Sequence, residues 1–183
     1  MEELIEKAKK GDKEAFTELV ILNKSKLHMI SRRFLMREAD IEDAIQETMI
    51  KAFFKIKTIK HDEIFEYWIE SILINECRTI NKKKYKREIP TDVEILQKIF
   101  IPKSSEDGDL TEIEHFEARN DFKTLIKKLK EEERTILILR FEIGYTTKQI
   151  SKILNIKEGT IKSKISRAKN KIDKIKKKGG DDK

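Results

Sequence analysis

The chain has a single cysteine, Cys77, among its 183 residues. One thiol excludes an intramolecular disulfide and a metal site built from several cysteines, and it is consistent with a reducing compartment. Signatures of catalysis are scarce as well. The three histidines, His28, His61 and His115, are scattered, and the sequence has no glycine-rich phosphate loop and no metal-ligand spacing. The sequence therefore predicts a protein that is not an enzyme and that holds no metal or cofactor.

Long apolar runs are also missing. No stretch approaches the roughly 18 apolar residues that a membrane span needs. The N-terminal segment MEELIEKAKK is charged and amphipathic, and it lacks the apolar centre of a secretion signal. We therefore expect a cytoplasmic protein with no membrane insertion.

Only two prolines occur, Pro90 and Pro102, and both lie near the middle of the chain. On either side of them, apolar residues recur at spacings of three and four, which predicts an all-α protein with a central break. Every charged residue from Glu106 to Glu117 is acidic, a composition typical of a linker. We predict two small helical domains at residues 1–88 and 119–178, an acidic linker at 89–118 and a disordered tail at 179–183.

The composition agrees with two small domains, because 38% hydrophobic and 41% charged residues can fill only modest cores. Asp12 and Asp62 are predicted to cap helices. The last N-terminal helix carries apolar side chains at one helical face, so we expect these to pack in the core. Those side chains are Phe65, Trp68, Ile69 and Ile72. The predicted N-terminal helices, which form a bundle, are Glu2–Lys10, Lys13–Arg33, Ile41–Phe54 and Glu63–Lys84.

The segment from Thr146 to Arg167 predicts a helix-turn-helix. Thr146 and Gln149 have the spacing of a capping box at the start of a helix. Asn155 stands at the turn, where a left-handed backbone is tolerated by asparagine better than by most residues. After the turn, four residues recur at helical spacing and are expected to face inward, namely Ile161, Ile165, Ala168 and Ile172. This arrangement directs Lys162, Ser163, Ser166 and Arg167 toward a DNA groove.

Basic residues are concentrated in the same region. Residues 147–178 contain twelve Lys or Arg against Glu158 and Asp173, a balance of +10, whereas the whole chain has a net charge of +7. An amphipathic hairpin with a solvated lysine face is the alternative explanation. The capping box, the turn residue and the concentrated charge together favour DNA binding.

A second basic patch ends the last N-terminal helix, in the run RTINKKKYKR. Its positive charges complement the helix C-terminal dipole, but the dipole alone does not require six bases. Asn81 and Tyr85 are interleaved among them, which favours phosphate contact over simple solvation. The bases are Arg78, Lys82, Lys83, Lys84, Lys86 and Arg87.

One helix is acidic instead. The run ADIEDAIQETMIKAFFKI carries Asp43, Gln46 and Glu47 in its N-terminal half, together with Asp40 and Glu42. Acidic residues at a helix start are favoured by the helix dipole and need no further explanation. A face of acids and amides beside basic surfaces is equally consistent with a site for a protein partner. Both explanations stay open from the pattern alone.

Taken together, these residues resemble the bacterial RNA polymerase sigma factors, specifically the two-domain extracytoplasmic-function (ECF) branch. Three ordered segments carry the resemblance: DIEDAIQETMIKAF; FEYWIESILINECRTINKKK; and LKEEERTILILRFEIGYTTKQISKILNIKEGTIKSKISRAK. They are similar to the family's polymerase-binding helix, its minus-ten-reading helix and its minus-thirty-five-reading domain. The family's arginines at three positions of the last segment are lysines here, namely Lys162, Lys164 and Lys169. Lysine lacks the fork that reads guanine, so the base preference of the relatives does not carry over.

The resemblance implies a function and a set of contacts. The chain would bind core RNA polymerase, direct it to promoters and help to open the DNA. It implies polymerase contact by Asp43, Gln46 and Glu47. It implies contact with the upstream duplex element by Thr160, Lys162, Ser163, Lys164, Ser166 and Arg167, with Lys164 and Lys169 near phosphates. It implies contact with the minus-ten element and the melted strand by His61, Asp62, Asn75, Arg78, Asn81, Lys82 and Lys83.

Further expectations concern the partners. The family commonly has an anti-sigma factor that covers both DNA-binding faces. The acidic linker either threads toward the polymerase active site, by family analogy, or is a plain tether, since clustered like charge is compatible with both. The loop from Lys57 to Glu63 is implied to capture an unstacked base. The rival function is a stand-alone helix-turn-helix regulator that binds DNA as a symmetric dimer.

Overall fold

The computed structural model describes residues 1–85 and 124–180, which belong to two compact units. The first unit contains the helices up to Tyr85, and the second contains those from residue 124 onward. No strand occurs in the two described ranges, and the predicted all-α class is confirmed. The predicted linker at 89–118 lies outside the described residues.

The N-terminal unit consists of four helices: α1 (Glu2–Lys9), α2 (Lys13–Phe34), α3 (Glu38–Lys55) and α4 (Phe65–Tyr85). Two 3₁₀ turns, Ile56–Thr58 and Asp62–Ile64, connect α3 to α4.

The predicted start of α2 is confirmed, but two other predicted starts are wrong. The Asp12 carboxylate accepts from the backbone N–H groups of Glu14 and Ala15 at 2.9 and 3.0 Å. The third helix begins at Glu38 rather than Ile41, because Glu38 and Asp40 are favoured in a first turn by the helix dipole. Asp62 does not cap α4, since it lies within the preceding 3₁₀ turn.

The core of this unit is built from one face of each helix. In α4, Phe65, Ile69 and Leu73 follow one another at a spacing of four and are almost fully buried. Trp68 lies on the edge of that stripe and is only partly buried, with its ring 5.9 Å from the ring of Phe65. The predicted core position of Trp68 is therefore wrong, as is that of Ile72, which is also partly exposed.

Ion pairs hold α4 against its neighbours. Lys26 of α2 places its ammonium 2.8 Å from both Glu66 and Glu70 of α4, and the Glu70 side chain is 1% exposed. Lys51 of α3 lies 2.7 Å from Glu76. These ion pairs hold α4 against both α2 and α3.

The C-terminal unit begins with a helical segment at 124–127 and continues with α5 (Glu131–Leu137), which runs into a π-helical turn at Ile138–Glu142. The next helices are α6 (Thr147–Leu154) and α7 (Glu158–Gly180). The predicted tail residues 179 and 180 belong to α7. The buried core contains Ile126, Leu129, Ile136, Leu137, Leu139, Ile150, Ile153, Ile161, Ala168 and Ile172.

Within residues 1–85 and 124–180, no helix combines the length and the apolar character that crossing a bilayer requires.

Candidate nucleic-acid interface

The turn between α6 and α7 has the geometry that the sequence predicts. The Thr146 hydroxyl accepts from the Gln149 N–H at 3.2 Å, and the Gln149 side-chain oxygen accepts from the Thr146 N–H at 2.8 Å. Asn155 ends α6 in the left-handed region, with φ 53° and ψ 46°. The capping box and the turn residue are both confirmed.

Asn155 provides a test of this local structure. Replacing Asn155 by alanine is expected to destabilise the chain by about 1 kcal/mol, because a left-handed backbone strains any residue with a Cβ and asparagine less than alanine. Asn155→Gly is the matched control and should unfold within a few tenths of a kcal/mol of the unchanged chain. Urea unfolding followed by circular dichroism measures both. Equal loss in the two variants would contradict the argument.

Helix α7 has one buried and one exposed face. Ile161, Ala168 and Ile172 are fully buried, and Ile165 is partly buried. The polar side chains predicted to face the groove are all exposed: Lys162, Ser163, Ser166 and Arg167. Thr160, at the start of the same helix, is partly buried.

Arg167 and Ser163 form a connected pair on the exposed face. The Arg167 Nη2 donates to Ser163 Oγ at 3.2 Å, and Nε donates to the Ser163 carbonyl at 3.2 Å. The Ser163 hydroxyl donates to the Thr160 carbonyl at 2.9 Å. Ser163 therefore orients the guanidinium of Arg167.

Several lysines of α7 form ion pairs with acidic residues that no sequence pattern indicated as their partners. Lys164 places its ammonium 2.6 Å from Glu132 of α5, and Lys171 lies 2.6 Å from Glu133. Lys169 lies over the ring of Phe141, with 5.3 Å to the centroid. Lys164 and Lys169, predicted to lie near phosphates, thus have partners within the protein.

The second basic surface lies on α4. Asn75, Lys82 and Lys83 are exposed, and Arg78 is partly buried. The side chain of Asn81 instead donates to the Phe34 carbonyl at 3.0 Å. That bond ties α4 to the end of α2, which gives Asn81 a structural role that the sequence did not reveal. Lys86 and Arg87 lie outside the described residues.

The loop before α4 is braced by α1. His61 is exposed, whereas the Asp62 carboxylate binds the ammonium of Lys9. This ion pair joins residues 53 positions apart, so no sequence pattern indicates it. Asp62 therefore fixes the loop to α1, and His61 is the exposed polar side chain of the two.

The acidic face of α3 is exposed and continues into an apolar one. Asp43, Gln46 and Glu47 are exposed. Farther along the same helix, Ile50 is 45% exposed and Phe54 is 75% exposed. These two residues follow Gln46 at a spacing of four, which is the signal that would have revealed them. We name this set (43, 46, 47, 50 and 54) the α3 face.

Family comparison agrees with both units. The family described as Sigma-70 region 2 matches residues 19–87, and the family described as Sigma-70, region 4 matches residues 119–172. The ECF RNA polymerase sigma factor SigW of Bacillus subtilis is 30% identical over 176 residues, covering 93% of each chain. The chain belongs to the ECF sigma factors. Sigma factors are transcription initiation factors, and this sigma factor has that role.

Other relatives extend over nearly the same length. The RNA polymerase sigma-H factor of Pseudomonas aeruginosa is 28% identical, with 94% of this sigma factor and 92% of the relative covered. Two solved structures have the same fold. CnrH in complex with the cytosolic domain of CnrY gives a TM-score of 0.63 at 20% identity, with 95% of both chains covered. RpoE of Bartonella quintana in complex with the anti-sigma factor NepR gives 0.55 at 23% identity, with 88% and 96% covered.

The Cys77 thiol and the His28 side chain lie outside these surfaces, and local structure explains the surroundings of both. Burial raises the pKa of the Cys77 thiol to about 12, so this thiol is protonated and unreactive at neutral pH. His28 lies 3.2 Å from Glu38 and 3.3 Å from Glu42, and the three ligand atoms lie within 4.8 Å of one another. Sequence spacing did not reveal this cluster. Arg32 also contacts Glu38, at 3.3 Å, so side-chain contacts between α2 and α3 account for the cluster.

Proposed function

We propose that this sigma factor binds core RNA polymerase, directs it to specific promoters and helps to open the DNA. Residues 1–88 bind the polymerase and the minus-ten element, and residues 119–178 bind the minus-thirty-five element. The observation that carries the proposal is the exposure, on one chain, of the polar face of α7, the basic end of α4 and the α3 face.

The helix α7 enters the major groove of the upstream duplex. Lys162, Ser166 and Arg167 are exposed near the N-terminal half of this helix, the part that contacts base edges in a helix-turn-helix. Thr160 and Ser163 support these contacts, since their groups fix the direction of Arg167. Lys164 contributes its charge to the DNA backbone on exchanging Glu132 for a phosphate.

The N-terminal unit holds the melted minus-ten strand. Lys82 and Lys83 contact the single-strand backbone, while Arg78 and Asn75 lie on the same helix nearer the loop. His61 offers a hydrogen-bonding group to an unstacked base. Asn81 and Asp62 act on this site indirectly, through their contacts to Phe34 and Lys9.

The salt dependence of strand binding tests this assignment. Replacing Lys82 and Lys83 by alanine should flatten the plot of log affinity for a minus-ten single strand against log salt by about 0.7 per lost phosphate contact. Both ammonium groups are exposed, so their removal costs little stability. Fluorescence anisotropy of holoenzyme on a labelled strand measures the slope. Lys127 and Lys128, also exposed, provide the matched double alanine control. An unchanged slope in the Lys82 and Lys83 variant would rule out the contact.

The α3 face binds core polymerase. Its acids and amide supply charge complementarity, which steers association and fixes the register of an interface. Ile50 and Phe54 supply the apolar area that a stable contact needs at its centre. Phe54 is the most exposed of the large hydrophobic residues that the structure describes, and with Ile50 one helical turn before it on α3 it extends one exposed apolar strip, the kind of patch that marks a protein-binding surface.

An anti-sigma factor is a further proposed partner. The Bartonella quintana relative was solved with the anti-sigma factor NepR. A protein that covers both DNA-binding faces of this sigma factor would keep it from promoters until released. Binding of polymerase and promoter DNA would place this sigma factor in the cytoplasm.

Assembly with core polymerase separates the proposal from a stand-alone regulator. In size-exclusion chromatography, the full chain should elute together with bacterial core RNA polymerase. Alone, the chain should not elute at the size of a dimer. A stand-alone regulator would instead form a dimer and leave core polymerase unbound. That second result would overturn the proposal.

A further inference from the structure

One carboxylate joins the N-terminal ends of both helices of the helix-turn-helix. Glu158 is the first residue of α7, and its Oε1 accepts from the Thr147 hydroxyl, at the start of α6, at 2.8 Å. The ammonium of Lys162 lies 3.2 Å from the same oxygen. The contact between Thr147 and Glu158 is side chain to side chain across eleven residues, so the sequence pattern did not indicate it.

The carboxylate is ionised in this setting. The hydrogen bond from Thr147, and then that from Lys162, hold the pKa of Glu158 below its usual value. A negative charge therefore lies beside two helix N-termini, whose N–H groups and dipoles would otherwise attract any phosphate. Such attraction carries no sequence information, because phosphates are the same at every base pair.

Lys162 is the side chain whose reach toward DNA the Glu158 carboxylate limits most. Its long flexible stem and point charge let it reach the nearest phosphate unless another group holds it. Lys162 is 65% exposed and projects from the first turns of α7, the end that reads bases. With Glu158 as a partner, its ammonium is kept beside the helix rather than extended to the DNA backbone.

We propose that Glu158 is a specificity-determining residue of the recognition helix: it holds Lys162 away from phosphates and suppresses sequence-independent attraction at the α6 and α7 N-termini. This inference rests on the proposed reading of promoter DNA by α7. It gives Glu158 an effect on DNA binding that is opposite to that of the surrounding lysine and arginine side chains. Its presence weakens binding to arbitrary DNA and thereby raises the ratio of selected to scrambled sites.

Glu158→Gln separates this role from a structural one. The glutamine oxygen still accepts from Thr147, and an exposed ion pair at i, i+4 contributes little to stability, so the fold should be retained. Holoenzyme with the full chain is tested on two duplexes, one selected from a randomised library by the unchanged holoenzyme and one scrambled. We expect scrambled binding to tighten about threefold and its salt slope to steepen by about 0.9, as for one added phosphate contact.

Asp173→Asn is the matched control. It makes the same charge change on the same helix, far from the N-terminal end, at an exposed residue. Its salt slope and its ratio of selected to scrambled binding should match those of the unchanged chain. If Asp173→Asn reproduces the effect of Glu158→Gln, net charge alone explains it and the inference is wrong.

Lys162→Met tests the inference without altering Glu158. Because Lys162 is held off phosphates, its removal should leave the salt slope on the scrambled duplex unchanged while weakening selected binding. A slope flatter by about 0.9 would place Lys162 on a phosphate in the unchanged chain and overturn the inference. If the unchanged holoenzyme fails to discriminate the two duplexes at all, the proposed function of α7 fails, and this inference fails with it.

Discussion

Holoenzyme assembly is expected to fail when Asp43 is replaced by arginine and Gln46 by alanine in the same chain. The change reverses a charge and removes an amide in the polar half of the α3 face, where both side chains are exposed. Like-charge contact and lost hydrogen bonds at an interface cost several kcal/mol. We expect core binding to weaken by on the order of 100-fold, which corresponds to about 3 kcal/mol. Competition with a labelled reference sigma factor for core polymerase measures this.

Because Asp43 and Gln46 are exposed, the effect of the double variant on assembly can be separated from an effect on stability. Substitutions at exposed positions change stability by about 0.5 kcal/mol or less, so lost assembly would reflect lost contact. Glu6→Arg is the control, because it reverses a charge on an exposed residue of α1 in the same unit. Phe54→Ala should weaken assembly by an intermediate amount. Normal assembly of the double variant would remove the α3 face from the polymerase interface.

Recognition of the upstream element should depend on the shape of the Arg167 side chain and not only on its charge. Arg167→Lys keeps the charge but loses the planar fork that binds guanine through two hydrogen bonds. The loss of such a bidentate contact costs about 1–3 kcal/mol, so we expect roughly tenfold weaker binding to a selected duplex. Binding to a scrambled duplex should stay within about twofold, because phosphate attraction is retained.

Two further variants test whether the weaker binding of Arg167→Lys to the selected duplex comes from lost side-chain geometry or from charge. Ser163→Ala removes the hydroxyl that accepts from Arg167 Nη2 and should reproduce part of the effect of Arg167→Lys. Lys174→Ala removes a charge from an exposed residue of the same helix and should lower both affinities equally. Gel-shift titration of holoenzyme on the two duplexes measures all three variants. Equal weakening on both duplexes for Arg167→Lys would mean that Arg167 contacts only phosphate.

The sequence was sufficient where the structure is determined by neighbours along the chain. The capping box joins Thr146 and Gln149, which are three positions apart, and the left-handed Asn155 depends on its own backbone preference. Helical periodicity predicted the buried and exposed faces of α7 for the same reason, since both follow from a spacing of three and four.

Contacts between distant segments could not be predicted from the sequence. Glu132 and Lys164 are 32 residues apart, and Asn81 and Phe34 are 47 apart. Such pairs depend on how helices pack, and no local pattern indicates them. The exposed Phe54 was missed for a related reason, because an aromatic residue on an amphipathic helix is expected in the core until its neighbours are known.

Three surfaces, two on the N-terminal unit and one on the C-terminal unit, are combined in the proposed role in transcription initiation. In the function proposed above, the α7 surface reads paired DNA, the α4 surface holds parted DNA, and the α3 face joins both to the polymerase. Each surface alone would give binding without initiation. A single sigma factor requires all three, which is why loss of the α3 face should abolish promoter-directed transcription even though both DNA-binding surfaces remain intact.

Run-off transcription tests this account most directly. Bacterial core RNA polymerase is incubated with the full chain on a library of promoters, and the transcripts are compared with those obtained with core polymerase alone. The account predicts that a subset of promoters gives discrete transcripts only when the chain is present, and that the Asp43→Arg, Gln46→Ala chain gives none. Absence of any transcript dependent on the unchanged chain would contradict it.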